Sequence, residues 1–545
     1  MHADPNIEVT ISERGHKNRW LSMLFISVSL LVISLDNTVL NVALPSISTD
    51  LGAGQSDLQW IVDAYILVFA ALLLTMGAFG DRIGRKRALQ TGLVLFGIGS
   101  LAAAMSDTTG MLIAARGFLG VGAAFIMPAT LSIVTATFRD KKERSQAIAL
   151  WAATFGLGIG IGPVVGGWLI ERFDWNTVFF VNLPVMAVAL IGGYIFIEES
   201  RDENAPRIDI PGVLLSITGL FALVYGIIEA GLHGWTDQNV LLAFGAAVVL
   251  LGAFAFWEAS YKHAMLPIRF FRNMSFTGAN TALALTMFGM FGAMFTLPQF
   301  FQSVQGLSPL ESGLRIVPMA IVLVIVAGAS AKIAERLKLK LTVALGFILA
   351  AGGMFFMSQT IQVDTEYSTI LIGLAIMAGG LGLAMPPATD SIMGSVPVSK
   401  AGIGSAMNDT TRELGGALGV AILGTVLNDN YLSEIGAISA LPQAELIPPE
   451  AMGAIESSIQ GALAVTSNPL MPAEMGTAIQ DIASTAFTNG MTEAMLIASI
   501  VLLLASVFVF VALPAVIQPP IEEDETEKAK NTSAIDGVVP SPAGD

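Results

Sequence analysis

The chain has 545 residues, of which 54% are hydrophobic and only 13% are charged, and its formal net charge at pH 7 is −16. A soluble protein carries about 25% charged residues, so this composition excludes a soluble globular class. Apolar stretches of 18 residues or more recur from Trp20 to Val516, and each can cross a hydrocarbon core of about 30 Å as a helix. The chain is therefore predicted to be an all-α polytopic membrane protein.

Composition also narrows the chemistry. The chain has no cysteine, which excludes disulfides and thiolate metal sites. Its histidines are scattered, which argues against a histidine metal cluster, at His2, His16, His233 and His263. No phosphate-binding loop and no nucleophile–base pair are evident. We therefore expect no enzyme activity, no cofactor, no metal and no nucleic-acid partner.

Fourteen spans are predicted in chain order: Trp20–Val42, Leu58–Phe79, Ala88–Met105, Thr109–Phe138, Ser145–Ile170, Asn176–Ile197, Ile210–Ala230, Val240–Glu258, Ser275–Gln302, Glu311–Ala331, Leu341–Gln359, Ser368–Ser391, Gly402–Leu427 and Met491–Val516. With the N-terminus in the cytoplasm, 23 of the 27 Lys and Arg residues fall in cytoplasmic segments, as the positive-inside rule requires. Both termini are therefore expected in the cytoplasm.

The spans predict a division of the chain into a cytoplasmic N-terminus (1–19), a six-helix bundle (20–200), two inserted helices with linkers (201–272), a second six-helix bundle (273–516) and a disordered cytoplasmic tail (517–545). Residues 428–490 are predicted to form a long extracytoplasmic loop with seven acidic residues and no Lys or Arg. The loop is interpreted either as a tolerated insertion or as a cover over the outer mouth of a cavity.

Three charged residues lie in the first, second and fourth spans. Asp36 is embedded in LDNTVLNVALP (35–45), Asp63 is near the outer end of the second span, and Arg116 is alone among apolar residues. A charge inside the bilayer is costly, so each is expected to face a cavity or a partner. Asp36 and Asp63 are the natural partners of Arg116. Purely structural roles stay open, with Asp36 bonded to Asn37 or Asn41, or held in an ion pair with Arg116.

The fifth span contains LGIGIGPVVGG (157–167), which Gly156 precedes. The glycines form three G-x-x-x-G pairs: Gly156 with Gly160, Gly158 with Gly162, and Gly162 with Gly166. Small residues let helix backbones approach closely in a bilayer, and Pro163 permits a bend. From the residues alone, this stretch is a helix-packing face.

The thirteenth span carries Asp409 and Glu413, which lie four residues apart and hence on one helix face, about 6 Å from each other. Two such carboxylates repel when both are ionised, which favours binding of a proton by one of them. A cationic substrate could replace that proton. Alternatively, the adjacent Arg412 holds both carboxylates ionised in a structural network.

An internal repeat relates the two bundles. PATLSI (128–133) returns as PATDSI (387–392), with five of six positions identical and an offset of 259 residues. The fourth and fifth spans therefore correspond to the twelfth and thirteenth. Parallel six-helix repeats are typical of secondary transporters with a site at the repeat interface.

Three motifs resemble those of the major facilitator superfamily. The loop GAFGDRIGRKRAL (77–89) resembles its G-x-L-a-D-r-x-G-r-k loop. The stretch at 35–45 resembles the L-D-x-T-V-x-N-V-A-L-P motif of fourteen-helix drug:proton antiporters, a branch that Asp63 also matches. GIGPVVGG (160–167) resembles the antiporter motif g-x-x-x-G-P-x-x-G-G, which is found in exporters of the superfamily.

The resemblance implies a major facilitator fold with fourteen helices arranged as 6+2+6, and it assigns roles to the motif residues. The residues expected to form a latch at the inner gate are Gly77, Asp81, Arg82, Gly84 and Arg85. The equivalent loop of the second half (328–340) lacks the Asp, so any latch is asymmetric. The residues expected to form a helix interface that can slide or bend are Gly156, Gly160, Gly162, Pro163, Gly166 and Gly167.

The implied function is proton-coupled export of hydrophobic or cationic drugs across the bacterial inner membrane. Proton and cation binding is expected at Asp36, Asp63, Arg116, Asp409 and Glu413, while an adaptable cavity could be lined by Met287, Phe288, Phe291 and Met294, although most Phe and Met residues are expected to face lipid. The expected partners are drugs, protons and lipids, and the chain is expected to be monomeric. Two alternatives are an exporter of one endogenous metabolite, such as a lipid, siderophore or antibiotic, and a non-transporting scaffold or sensor, which the embedded carboxylates disfavour.

Overall fold

The computed structural model describes residues 17–138, 140–201, 209–261, 268–396, 401–441, 444–468 and 471–519. Most of the predicted N-terminal segment and most of the predicted tail lie outside these ranges. So do four of the basic residues counted as cytoplasmic: Arg139, Arg207, Lys262 and Lys400. Within the described ranges the secondary structure is helical, without a strand.

The first part of the chain forms α1 (Arg19–Leu51), α2 (Gln55–Ile83), α3 (Arg85–Ala104), α4 (Thr109–Thr137), α5 (Lys141–Arg172), α6 (Thr177–Phe180), α7 (Asn182–Phe196), α8 (Ile210–His233) and α9 (Gln238–Ser260). After a 3-10 turn at Ile268–Arg272, the second part forms α10 (Met274–Gln299), a π-helical turn (Phe300–Val304), α11 (Pro309–Leu337), α12 (Leu339–Thr360), α13 (Tyr367–Gly394), α14 (Ala401–Ile435), 3-10 turns at Gly436–Ala440 and Ala444–Leu446, α15 (Pro449–Ser457), α16 (Ile459–Thr466) and α17 (Ala473–Ala512).

Several helices begin or end where the sequence supplies a cap. The Thr108 hydroxyl accepts a hydrogen bond from a backbone N–H in the first turn of α4. Ser308 and Glu311 form a reciprocal capping box at the start of α11, which satisfies two backbone donors that lack partners within the helix. Gly52 ends α1 with φ of 64°, a left-handed conformation that favours glycine.

Twelve of the described helical segments are long and apolar enough to cross a membrane. The α5 and α14 helices coincide with the other two predicted spans and have 32 and 35 residues, but they are not among these twelve segments. A count of fourteen spans requires α5 and α14 to cross as well, and it stays a prediction. The sixth predicted span is broken between α6 and α7, and α17 begins well before Met491.

The helices pack around two hydrophobic cores. The first core runs from Met23 to Ile228 and also includes Phe295 of α10 and Ala417, Val420 and Ala421 of α14, and the second runs from Phe270 to Leu513. The same neighbours recur in both: α1 packs on α5 as α10 packs on α14, α2 on α4 as α11 on α13, and α3 on α4 as α12 on α13. This pattern pairs α4 and α5 with α13 and α14, as the sequence repeat predicts.

The two cores meet along a seam in which α2 packs on α14 and α5 packs on α11. Gln59 Nε2 donates to the carbonyl oxygens of Val420 and Ala421 at 3.3 and 3.0 Å, and Gln302 Nε2 donates to the Val42 carbonyl at 2.9 Å. These bonds lie toward the helix ends opposite the basic loop at 82–87, as do the contacts of Ser48 with Ser458, of Thr425 with Ile227 and of Asn428 with Gly231. We call these ends the far side.

Candidate functional site

A charged pair is buried inside the first core. Arg116 of α4 donates from Nη1 to Asp36 Oδ2 of α1 at 2.5 Å, and its Nε donates to the Ile61 carbonyl of α2 at 3.0 Å. The Arg116 and Asp36 side chains are only 1% and 2% exposed. The pair therefore ties three helices together, and Arg116 has taken one of the two carboxylates expected for it.

The second oxygen of Asp36 is also satisfied. Asn182 of α7 donates from Nδ2 to Asp36 Oδ1 at 3.0 Å and to Ser100 Oγ of α3 at 3.1 Å. Asn41, by contrast, donates to the Asn37 carbonyl. The interpretation of Asp36 as a carboxylate bonded to Asn37 or Asn41 is therefore wrong, because its partners come from α4 and α7.

Tyr65 completes this centre. The Arg116 guanidinium lies over the Tyr65 ring, 4.4 Å from its centroid, in a cation–π arrangement that desolvation strengthens. The Tyr65 side chain is fully buried, and its hydroxyl has no hydrogen-bond partner within the described ranges. A buried hydroxyl without a partner is costly, so this group calls for a functional explanation.

Asp63 lies apart from the Asp36–Arg116 pair. It is fully buried, and neither carboxylate oxygen has a hydrogen-bond partner in the part of the chain that the structure describes. It follows Gln59 by one helical turn, so it lies on the helix face that Gln59 presents to α14. The structure does not bring Asp63 to Arg116, the second pairing that the sequence left open.

A cavity of about 200 Å³ lies between the two cores. The first core supplies polar and small residues to its wall: Asn37, Thr38, Asn41, Trp151, Gly156 and Gly160. The second core supplies an apolar wall with one carboxylate and one guanidinium, from Met287, Met290, Phe291, Met294, Ile316, Met319, Ala320, Leu323, Val324, Met385, Arg412 and Glu413. Five of these are methionines, whose flexible and polarizable side chains adapt to ligands of different shape.

Only some of the residues predicted on α10 and α14 line the cavity. Met287, Phe291 and Met294 line it, whereas Phe288 is buried elsewhere in the second core. Glu413 faces the cavity, and its Oε2 has no hydrogen-bond partner among the described residues. Asp409 is not part of the wall and accepts a hydrogen bond from Asn408 at 3.2 Å.

The two α14 carboxylates still act on each other. Asp409 and Glu413 are both buried and repel electrostatically, and Arg412 attracts both. The expected coupling of the two carboxylates and the alternative network around Arg412 both stay predictions. Glu413 is the member that a ligand in the cavity can reach.

The glycine-rich stretch of α5 separates into faces. A Cβ at Gly158, Gly162 or Gly166 would collide with Ser34, Thr38 or Val39 of α1, respectively. Gly156 and Gly160 face the cavity, where an added Cβ would meet nothing within 4 Å and Ala320 at 3.6 Å, respectively. One helix therefore packs with one face and lines the cavity with another.

The far end of the same helix lies at the seam. A Cβ at Gly167 would collide with the Pro309 carbonyl at the start of α11, and a Cβ at Gly313 of α11 would collide with the Pro163 carbonyl. Pro163 is therefore at the crossing point of α5 and α11. The close approach of these two backbones depends on the absence of side chains at Gly167 and Gly313.

The basic loop contains a short charged cluster. Arg85 Nε donates to Asp81 Oδ1 at 2.6 Å, while Arg82 is exposed. Gly84 has φ of 116°, and a Cβ there would collide with the Glu199 carboxylate. A Cβ at Gly77 would meet Pro128 at 3.3 Å. The carboxylate of Asp81 thus pairs within its own loop.

Glu199 is a part of this loop that the sequence argument missed. Its carboxylate accepts hydrogen bonds from the backbone N–H groups of Lys86 and Arg87 at 3.0 and 3.3 Å. An anion at a helix N-terminus is favoured by the helix dipole. Glu199 therefore joins the end of the α7 region to the start of α3.

Comparison with known proteins agrees with this geometry. Residues 26–420 match the Major Facilitator Superfamily. The multidrug efflux pump LfrA of Mycolicibacterium smegmatis is 36% identical over 90% of this chain and 96% of its own length. The methyl viologen resistance protein SmvA of Salmonella typhimurium is 32% identical over 91% of this chain and 98% of its own.

A solved structure supports the fold at lower identity. A bacterial homologue of the human lysosomal transporter Spinster, in an inward-facing and unoccupied conformation, superposes with a TM-score of 0.65 at 16% identity. The match covers 91% of this chain and 97% of that chain.

Proposed function

This chain belongs to the major facilitator superfamily, and from that premise we propose that it is a proton-coupled exporter of hydrophobic and cationic drugs. Its relatives are named as transporters and resistance proteins rather than enzymes. We place it in a bacterial inner membrane with both termini in the cytoplasm, working as a monomer among lipids. The two six-helix bundles would be formed by α1–α7 and by α10–α14 with α17, and α8 and α9 would be inserted between them as spans seven and eight of fourteen.

The observation that carries the proposal is the cavity between the cores. Its methionine-rich wall suits apolar bodies of varied shape, and Glu413, beside the Arg412 guanidinium on the same wall, supplies a carboxylate whose Oε2 has no hydrogen-bond partner among the described residues. A carboxylate in an apolar wall attracts either a proton or an organic cation. The relative named for methyl viologen, a flat dication, is consistent with a cationic substrate.

The remaining motif residues fit the same cycle. With the termini in the cytoplasm, the far side is the outer side, and hydrogen bonds from Gln59 and Gln302 join the two halves of the chain there. Asp36, Arg116, Asp63 and Asp409 would serve proton coupling around the cavity. The Asp81–Arg85 pair would contribute to the inner latch, and the glycine faces of α5 would allow the cores to move against each other.

Dye efflux from inverted vesicles, with and without a proton gradient, tests the function. The wild-type protein is expected to move several unrelated dyes only when a gradient is present. A single accepted compound would overturn multidrug export in favour of one endogenous metabolite, such as a lipid, siderophore or antibiotic. Transport that is independent of the gradient would overturn proton coupling.

Glu413→Gln is expected to lower gradient-driven efflux of cationic dyes by about tenfold or more, since one hydrogen-bonded or paired charge is worth about 1.5–3 kcal/mol. The substitution keeps the shape of the side chain and removes its charge. Asp429→Asn on the same helix is the matched control, because Asp429 is exposed at the far side. Wild-type efflux by Glu413→Gln, or equal losses in both variants, would contradict the assignment.

We propose that residues 428–490 cover the outer mouth of the cavity. Much of this segment is helical and packs onto the seam. Ser458 Oγ lies 3.4 Å from Ser48 Oγ of α1, and Gln460 Nε2 donates to Ser303 Oγ in the π-helical turn at 3.1 Å. The Tyr431 hydroxyl donates to the Ile455 carbonyl at 2.8 Å, which holds α15 against α14. The α15–α16 hairpin thereby bridges both cores.

A disulfide tests whether this cover must lift. The chain has no cysteine, so Ser48→Cys/Ser458→Cys introduces the only thiols. We expect oxidation of the pair to stop efflux and reduction to restore it, while each single variant stays active and insensitive to the oxidant. Ser458 is 2% exposed, so a Ser458→Cys single variant should react with an impermeant maleimide only during turnover. Full efflux by the oxidised pair, or labelling that is independent of turnover, would contradict a moving cover.

A further inference from the structure

Tyr65 lies where the two charged centres of the molecule approach each other. Its ring lies under Arg116, which is bound to Asp36 in the first core. Its helix, α2, packs on α4, which carries Arg116, and on α14, which carries Glu413. On its own helix, the nearest acidic residue is Asp63. Tyr65 thus lies on a helix that contacts both cores.

The helix register explains this position. At the seam, α2 begins on the far side and α14 ends there, so the two helices run antiparallel, with Gln59 bonded to Val420 and Ala421. Tyr65 lies six residues beyond Gln59, about 9 Å along the helix axis. Glu413 lies seven residues before Val420, about 10 Å along its own axis. The two side chains therefore lie at nearly the same depth.

Two unpartnered polar atoms are thereby brought to one level of the seam. The Tyr65 hydroxyl and Glu413 Oε2 each lack a hydrogen-bond partner within the described residues. Tyr65 is fully buried and Glu413 is 6% exposed. A phenolic hydroxyl can donate to a carboxylate directly or through one water. A neutral Glu413, carrying a proton, does not require that donor.

We propose that Tyr65 is a positioning residue for proton coupling, which links the Asp36–Arg116 pair of the first core to Glu413 of the second. When Glu413 loses its proton, the Tyr65 hydroxyl donates a hydrogen bond to the carboxylate while its ring stays on Arg116. When Glu413 binds a proton, that hydrogen bond is released. Tyr65 thus couples the protonation state of Glu413 to Arg116, on the other side of the seam. This inference rests on the proposed function.

Tyr65→Phe removes only the hydroxyl and leaves the ring on Arg116. In proteoliposomes, we expect dye transport driven by a pH gradient to fall by about tenfold or more, the effect of one hydrogen bond to a charged group. Dye exchange without a gradient, which needs binding and alternating access but no net proton movement, should stay within about twofold of wild type. Tyr194→Phe is the matched control, because Tyr194 is 69% exposed, and it should change neither assay.

The outcomes separate the two ideas. Wild-type gradient-driven transport by Tyr65→Phe overturns the linking role, and so does an equal loss in gradient-driven transport and exchange, which would indicate a general structural role. A lowered melting temperature that accounts for the loss leads to the same conclusion. Failure of the wild-type protein to respond to the gradient would overturn the proposed function itself, and the linking role with it.

Discussion

Arg116→Met is expected to abolish transport and to destabilise the protein by about 3–5 kcal/mol, the range found when one partner of a buried ion pair is removed. The substitution leaves the Asp36 carboxylate buried with only Asn182 as a donor, and it frees the Ile61 carbonyl that Arg116 holds. Denaturant unfolding in detergent would measure the loss of stability, and dye efflux would measure the loss of transport. Arg172→Met, at an exposed position on α5, should alter stability by less than about 0.5 kcal/mol.

The double variant Asp36→Asn/Arg116→Met separates stability from transport. With no buried charge left to satisfy, we expect much of the lost stability to return, since replacing both partners of a buried pair is often nearly neutral. Transport should stay lost if the pair takes part in proton coupling. Recovery of transport together with stability would indicate a purely structural ion pair, the alternative that the sequence left open.

Gly162→Ala is expected to destabilise the protein by about 1–3 kcal/mol, the usual cost of inserting a methyl group into a well-packed contact. The new Cβ would collide with Thr38 Oγ1 and push α5 away from α1. Thr38 also donates weakly across this contact to the Gly158 carbonyl at 3.4 Å. A fluorescence-based melting curve and the rate of dye efflux would measure the effect.

Gly156→Ala is the matched control for this substitution. It lies on the same helix, but an added Cβ there meets nothing within 4 Å. Its stability should be unchanged or higher by up to about 1 kcal/mol, because alanine is the better helix former. Equal destabilisation by both substitutions would show that glycine content, and not the contact with α1, determines the stability of this helix.

Much of the architecture could be predicted because a bilayer constrains helices strongly. Apolar length predicted twelve helical segments that are long and apolar enough to cross a membrane, and the isolated Arg116 indicated that a carboxylate partner would lie nearby. The sequence also contained the information that separates the glycine faces, since Gly158, Gly162 and Gly166 recur every four residues. It could not say which face meets α1 and which meets the cavity, because that depends on the neighbouring helices.

Other parts of the site depend on tertiary contacts without a local signal. Asn182, the first residue of α7, reaches Asp36 through the packing of α7 on α1. Tyr65 is two residues from Asp63, but only the packing of α4 places a guanidinium over its ring. A cover over the cavity was one of two interpretations of residues 428–490. The sequence left both open because the amphipathic stretches of this segment did not specify which helix ends they would contact.

The two faces of α5 bear on how such a protein can change under selection. Residues 156 and 160 border the space that a compound would occupy. An added Cβ would meet nothing within 4 Å at residue 156 and would lie 3.6 Å from Ala320 at residue 160. Residues 158, 162 and 166 touch the first helix, and a larger side chain at any of them would collide with it. A population exposed to a new toxic compound can therefore explore altered recognition on one side of this helix while its mechanical contact stays intact on the other.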